Sequence, residues 1–246
     1  MPAADLPLLC PVCRQGLRFT GGARTLVCGA GHSFDAARQG YFNFLVGKGT
    51  VFEADSAEMV AARFDFLSAG HYQPLADAVA GLATPALREA PAGRPLVLDA
   101  GTGTGHYLRA VRDRAAENAV DVVTVVFAPR NAPEFARVLR PGGRLVVVTP
   151  RPGHLAEVAG PAGMLGIEPA KDERLAASLG QHFAPVAASD LDLALTLGPR
   201  DVANLAYMGP AGHHLDRAAL VALEAALPER TSVSARFRIS VFQPIR

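Results

Sequence analysis

Pro95-Leu-Val-Leu-Asp-Ala-Gly-Thr-Gly-Thr-Gly-His106 is the stretch on which the fold turns. A short apolar run ends in an acid, Asp99. Glycines follow at alternate positions, Gly101, Gly103 and Gly105, and His106-Tyr-Leu-Arg-Ala110 opens a helix. Strand, glycine turn and helix in that order make a nucleotide-binding turn, because glycine lets the backbone approach a ligand and takes conformations other residues resist. Dinucleotide enzymes use G-x-G-x-x-G and seat a pyrophosphate on the helix N-terminus. The spacing here is D-x-G-x-G-x-G, and an acid beside the turn would repel a pyrophosphate. It suits a cofactor carrying an ammonium and a sulfonium, so a nicotinamide-dependent oxidoreductase is disfavoured.

Working outward, Ala119–Phe127 is a strongly apolar strand, Glu134–Leu139 a short helix, Arg140-Pro-Gly-Gly143 a turn and Arg144–Thr149 another buried strand. Helices are expected at about 171–180, 199–208 and 216–226. Ser232–Phe242 alternates with period two, placing Val233, Ala235, Phe237, Ile239 and Val241 on one side, a half-buried strand closing a sheet. Upstream, Asp55 or Ser56 caps a helix running to about Ser68, with Glu58 in its first turn and Gly70 ending it. A second helix spans about Pro74 to Ala83, and Pro91, Gly93 and Pro95 break the chain. Gly47, Gly49, Asp55 and Ser56 mark 47–56 as a loop or linker.

The N-terminal region carries a second signal. Cys10, Cys13, Cys28 and His32 read C-x2-C-x14-C-x3-H, and the chain has no other cysteine. Thiolates and imidazole at this spacing suit tetrahedral Zn²⁺, and four protein ligands leave no open position for chemistry, so the site is structural. Strand-like pieces, Leu17–Thr20 and Thr25–Val27, lie between the two cysteine turns. Tyr41, Phe42 and Phe44 could stack on bases, but packing of the module against its neighbour is the favoured reading.

In 246 residues, half of them hydrophobic, the chain can bury a substantial core. A net charge of +1 does not announce a nucleic-acid binder. Residues 1–50 are richer in cations, with Arg14, Arg18, Arg24, Arg38 and Lys48 against Asp5 and Asp35. No secretory pattern opens the chain and no apolar run of about 18 residues crosses it, so a cytoplasmic protein is expected. Cysteines confined to a metal pattern fit a reducing compartment.

The D-x-G-x-G-x-G turn and the later Leu139-Arg-Pro-Gly-Gly143 resemble motifs of class I S-adenosylmethionine (SAM) methyltransferases. The wider chain resembles the RlmA-type 23S rRNA guanine-N1 methyltransferases. The resemblance rests on the Cys/His cluster with His32–Asn43, on Asp55–Arg63, Ser68–Leu75 and Asp99–Tyr107, on Val126-Phe-Ala-Pro-Arg-Asn131, on Leu139–Gly143, on Thr149-Pro150 with His154–Glu157, and on Met208-Gly-Pro210. Its Phe-Ala-Pro-Arg-Asn wording is similar to the Gram-positive branch that includes tylosin-resistance enzymes. The resemblance implies an α/β fold, with a zinc module that helps recognise an rRNA hairpin over residues 1–46, linker and helices over 47–94, and a Rossmann-like SAM domain over 95–246. It implies that Tyr72, Gly103, Thr104 and His154 line the cofactor site together with Asp99, Gly101 and Gly105. Met208–Pro210 would lie toward the target base. Arg130 or Asn131 could contact the guanine edge. His154, His213 and His214 are candidates for a base by residue type alone. A homodimer gripping one RNA is compatible with this picture.

One departure stands out. Between Gly105 and the strand at Val122, a Rossmann-type sheet needs two further strands, the first ending in the acid that holds the SAM ribose; about 35 residues are wanting, judged by the usual βαβ length. The junction falls near Ala110/Val111. Loss of the centre of a sheet should prevent folding, so the expectation is that the intact protein has residues there and that Ala110 and Val111 stand more than a peptide bond apart. If the shortening is real, a non-catalytic zinc RNA-binding relic becomes an alternative to the methyltransferase. A SAM enzyme acting on a small molecule is a third reading, disfavoured because small substrates need no zinc module.

Overall fold

A computed structural model of the chain describes residues 8–22, 24–38, 40–46, 54–88, 95–114, 119–164 and 177–245. The expectations at Gly47, Lys48 and Gly49, the breaks at Pro91 and Gly93, and most of the helix at 171–180 lie outside these residues. The chain divides into two units, Met1–Ala54 and Asp55–Arg246.

In the first unit β1 (Leu17–Thr20), β2 (Thr25–Cys28) and β3 (Ser33–Asp35) form an antiparallel sheet in chain order. The register sets Leu17 opposite Cys28. Leu17, Leu26, Cys10 and Cys28 are buried together, with Phe19, Phe34, Phe42 and Phe44 packed on them. Phe42 lies 5.9 Å from Phe19 and stacks on Phe44 at 6.3 Å, and Phe34 meets Phe44 edge-on at 5.3 Å. Phe42 and Phe44 therefore fill this module's own small core, while Tyr41 is exposed.

The second unit opens with α1 (Ala57–Ser68), whose N-cap Ser56 accepts the Met59 N–H at 3.2 Å. Its buried residues, Met59, Ala62, Phe66 and Leu67, follow helical spacing. After α1, Gly70 takes a φ of +84°. Helix α2 (Gln73–Arg88) runs past Pro85, beyond its expected end at Ala83, because Ala86 and Leu87 continue the buried stripe of Leu75, Val79 and Ala83.

The sheet contains β4 (Pro95–Ala100), β5 (Ala119–Val126), β6 (Arg144–Pro150), β7 (Phe183–Leu197) and β8 (Thr231–Pro244), in the order β4-β5-β6-β8-β7. β4, β5 and β6 run parallel; β8 is antiparallel to both of its neighbours. The valine-rich middle of β5 and β6 is buried on both faces, as strands covered on two sides require. Val122, Val126, Val146 and Val148 belong to the core that includes α2, whereas Val123, Val125, Leu145 and Val147 share a second core with Phe135 and Leu139. Helices α3 (His106–Arg114), α4 (Ala132–Val138), the short α5 (Ala156–Ala159), α6 (Pro199–Tyr207) and α7 (Arg217–Ala226) complete the unit, with a 3-10 turn at Pro210–His214.

Two strand expectations change. β7 is absent from the sequence expectations, although Leu191, Leu193, Leu195 and Leu197 alternate with Asp192, Ala194 and Thr196. β8 lies inside the sheet between β6 and β7, so it does not close it; this explains why Ser240 and Phe242, on its other face, are also buried.

The departure near Ala110/Val111 also takes physical form. These are successive residues of α3, so the expected separation is not seen. In the doubly wound order 3-2-1-4-5-6, the second and third strands lie outside the first and are not at the centre. Among the described residues β4 is paired on one side only, and Leu96 and Leu98 are 37% and 43% exposed. Among the described residues the sheet thus ends one strand outside β5, and its double-faced core over β5, β6 and β8 stays whole.

The open edge has a measurable signature. Leu75→Ala, in a fully buried position, is expected to cost about 2–5 kcal/mol. Leu98→Ala should cost under about 1 kcal/mol. Urea unfolding of both variants checks this, and a comparable loss at Leu98 would mean that the β4 edge is covered.

Candidate cofactor and metal sites

Two turns present the metal-binding side chains. Around Cys10 and Cys13 the Arg14 N–H donates to the Cys10 carbonyl and the Cys10 N–H to the Gln15 carbonyl, both at 2.8 Å. Around Cys28 the Gly31 N–H donates to the Cys28 carbonyl at 3.1 Å and the Cys28 N–H to the His32 carbonyl at 3.0 Å. The ligand atoms of Cys10, Cys13, Cys28 and His32 all lie within 4.8 Å of one another. The Sγ atoms of Cys13 and Cys28 are 3.5 Å apart, and Cys28 Sγ is 3.4 Å from His32 Nδ1. A tetrahedron with Zn–S bonds near 2.3 Å has edges of about 3.8 Å, so the donor set fits zinc. Burial alone would raise the Cys28 thiol, but hydrogen bonds from His32 and Cys13 and from nearby backbone N–H groups bring it down to about 6. It is thus poised as a thiolate ligand at neutral pH.

In the second unit, β4 delivers Asp99 opposite Thr124 of β5, and Thr124 Oγ1 donates to Asp99 Oδ1 at 2.6 Å. The glycine turn follows. Gly101 has a φ of +77°, and a Cβ there would stand 2.5 Å from the Cβ of Ala128. Glycine is therefore required where the two loops meet. The Gly105 carbonyl accepts the Arg109 N–H at 2.9 Å and starts α3. Tyr107, on the first turn of α3, has its phenol pushed well above the ordinary range by burial and by the Asp99 carboxylate, against the lowering effect of Arg63.

Tyr72 and His154 meet on one ring. Tyr72 is buried edge-on against Phe66 and Phe237, at 5.1 Å from each; burial raises its phenol strongly, and Tyr107 adds to that rise. Phe237 lies 4.9 Å from His154 on its other side. His154 Nδ1 accepts the Arg236 N–H at 3.0 Å, which leaves Nε2 to carry the ring proton. Phe127, at a φ of +53° directly after β5, is 5.8 Å from Phe237 and half exposed. Sequence reasoning missed Phe127 and Phe237 as parts of this group. Its members gather where β4, β5 and β6 end, the carboxyl side at which open α/β sheets bind ligands.

Other candidates fall differently. Asn131 uses its side-chain oxygen to cap α4, accepting the Glu134 N–H at 3.4 Å. Arg130 is exposed beside it. His214 is exposed, whereas His213 Nε2 lies 3.8 Å from Asp55 Oδ1. Arg140 of the Arg-Pro-Gly-Gly turn pairs with buried Asp121 and donates to the Ala86 carbonyl at 3.3 Å, a supporting role under β5. A cleft of about 320 Å³ between Ser68, Gly70, Gln73, His106 and Arg109 does not reach Asp99 or Gly101. Among the described residues no strand stands between β4 and β5 in the chain to bring a ribose-binding acid.

Cys10→Ser removes one of four zinc ligands. Metal analysis by plasma mass spectrometry should give about one zinc per chain in the native protein and far less in the variant. Equal zinc in both would exclude this ligand set.

A family profile described as the RlmA N-terminal zinc ribbon matches residues 8–46. A solved SAM-dependent methyltransferase from Thiobacillus denitrificans, in complex with S-adenosyl-L-homocysteine, overlaps 80% of this chain and 94% of its own, at 15% identity and a TM-score of 0.32. The chain is 38% identical to the 23S rRNA (guanine(748)-N1)-methyltransferase of Streptomyces fradiae, with 97% of each chain covered. It is 42% identical to a protein of Micromonospora griseorubida provisionally named a 23S rRNA (guanine-N1)-methyltransferase, again with 97% of each covered. That second alignment runs over 291 positions against 246 residues here, so at least 45 positions of the relative have no counterpart in this chain. With a zinc ribbon of the same kind at its N-terminus and such identity over nearly its whole length, the chain belongs to the RlmA-type 23S rRNA (guanine-N1) methyltransferases.

Proposed function

We propose that this protein methylates N1 of a guanine in a hairpin of 23S rRNA, with SAM as methyl donor, in the cytoplasm, and that macrolide resistance follows from the mark as the likeness to the tylosin-resistance branch suggests. The observation that carries the reading is the near full-length identity to two proteins named for this reaction. The acid and glycine turn at the end of β4 support it.

SAM supplies an electrophilic methyl group on a sulfonium. Asp99 and the backbone of Gly101, Gly103, Thr104 and Gly105 would hold its polar end, with His154 beside it and the buried Tyr72 and Phe237 packed behind. The zinc ribbon would hold the RNA, and two copies could grip one hairpin. A loop guanine must leave its stack to reach such a site, and the exposed Phe127 at the rim offers a face for it. Arg130 lies at the same rim as a further contact to the RNA.

One observation favours a second reading. Among the described residues the sheet ends at β4, and none of its strands there lies outside β4 to bring an acid to the ribose. A chain that lost that acid could bind rRNA without transferring a methyl group.

Calorimetric titration with SAM, followed by mass spectrometry for N1-methylguanosine in rRNA, separates the two. Binding and product are expected. Clean RNA binding without either would establish the relic. Gly101→Ala forces a side chain into a left-handed turn against Ala128, so SAM affinity should fall by about tenfold or more, as 1–2 kcal/mol of strain implies. Cys10→Ser should weaken RNA methylation while leaving SAM affinity near the native value; a matching loss of SAM binding would count against separate modules.

A further inference from the structure

Arg63, beside the glycine turn, forms a donor and acceptor pair with Asp55. Arg63 projects from the middle of α1. Its Nη1 donates to Asp55 Oδ2 at 2.5 Å and its Nη2 to the Met208 carbonyl at 2.6 Å. Its stem lies along the glycine turn, since a Cβ on Gly103 would stand 3.5 Å from Arg63 Cδ. It also acts on Tyr107 together with Asp99. One guanidinium therefore joins the start of α1, the end of α6 and the cofactor turn. Asp55 Oδ1 faces His213 Nε2 at 3.8 Å, and it takes no hydrogen bond among the described residues. The side chains of Arg63 and Asp55 are 24% and 33% exposed.

We infer that Asp55 and Arg63 read the target guanine and that Asp55 takes its N1 proton. This rests on the methyltransferase reading above. The chemistry of the base selects the pair. Guanine presents N1–H as a donor and O6 as an acceptor next to it, whereas adenine presents the reverse. A carboxylate beside a guanidinium offers the complementary order. A carboxylate has about four lone-pair sites and a guanidinium five N–H donors, so the bonds already made leave both groups capacity for the base. Deprotonation at N1 places negative charge on N1 and O6, and Arg63 is placed to stabilise it at O6. In balanced form, the N1–H proton passes to Asp55 while the N1 lone pair forms the bond to the methyl carbon. The carbon–sulfur bond breaks with its electrons left on sulfur, and the partly exposed Asp55 then releases the proton to water. A partly exposed ion pair of this kind contributes at most about 1 kcal/mol to stability.

The test uses the full zinc-loaded chain, SAM and an rRNA hairpin transcript. Asp55→Asn keeps the shape and an acceptor for N1–H but cannot take the proton. It should bind SAM and RNA as the native protein does and lose about 10²–10⁴-fold in kcat. Arg63→Lys should lose kcat in the same direction, and a hairpin with adenine at the target should not be methylated by the native protein. Native-like kcat in Asp55→Asn, or a loss wholly explained by weaker SAM binding, overturns the assignment and leaves the proposed function standing. If the native protein makes no N1-methylguanosine, the proposed function itself fails and the assignment falls with it.

Discussion

The parallel register of β4 on β5 sets Asp99 beside Thr124, and the hydrogen bond between them fixes the carboxylate where the chain leaves the sheet. From that point the backbone has one way to turn into α3, through a glycine held against Ala128. The second loop, after β5, is therefore constrained by the first. Phe127 takes its left-handed conformation where this second loop begins, and the ring of Phe237 rests between it, Tyr72 and His154. A shift of β4 by a single residue would turn Asp99 to the other face and dissolve the arrangement.

Much of this was legible in the sequence because the governing signals are local. A cap such as Ser56, a run such as Arg144–Thr149 and a turn such as Arg140–Gly143 need only near neighbours to be read. The zinc ligands were legible for another reason: cysteine is scarce, and its spacing is fixed by the two turns that hold it. What escaped was decided by distant partners. β7 is half exposed, and its alternation of leucines was overlooked between polar residues. The grouping of Tyr72, His154 and Phe237 comes from three elements far apart in the chain, and no spacing encodes it. Asp55 and Arg63 are an instructive middle case. Asp55 lies just before the N-cap of α1 and Arg63 in its middle, and only the fold shows that Arg63 meets Asp55, Gly103 and Met208 together.

Counting residues identified that something is absent relative to a complete doubly wound sheet. Where the absence falls is a matter of topology. The outer strands of such a sheet contribute one flank of the cofactor site but little to the core shared by β5, β6 and β8, so folding and ribose binding are separable properties. The zinc ribbon is independent of both, since its own core of Leu17, Leu26 and four phenylalanines closes without the second unit.

The bare flank of β4 has a consequence for the life of the protein in a crowded solution. Among the described residues its outward N–H and C=O groups have no strand partner, and with leucines at 96 and 98 in contact with water they form a template on which a strand from a neighbouring chain can be laid down. Parallel-sheet domains seldom leave such a margin uncovered. Purity, concentration and handling will therefore govern whether this molecule stays dispersed or is drawn into edge-to-edge aggregates.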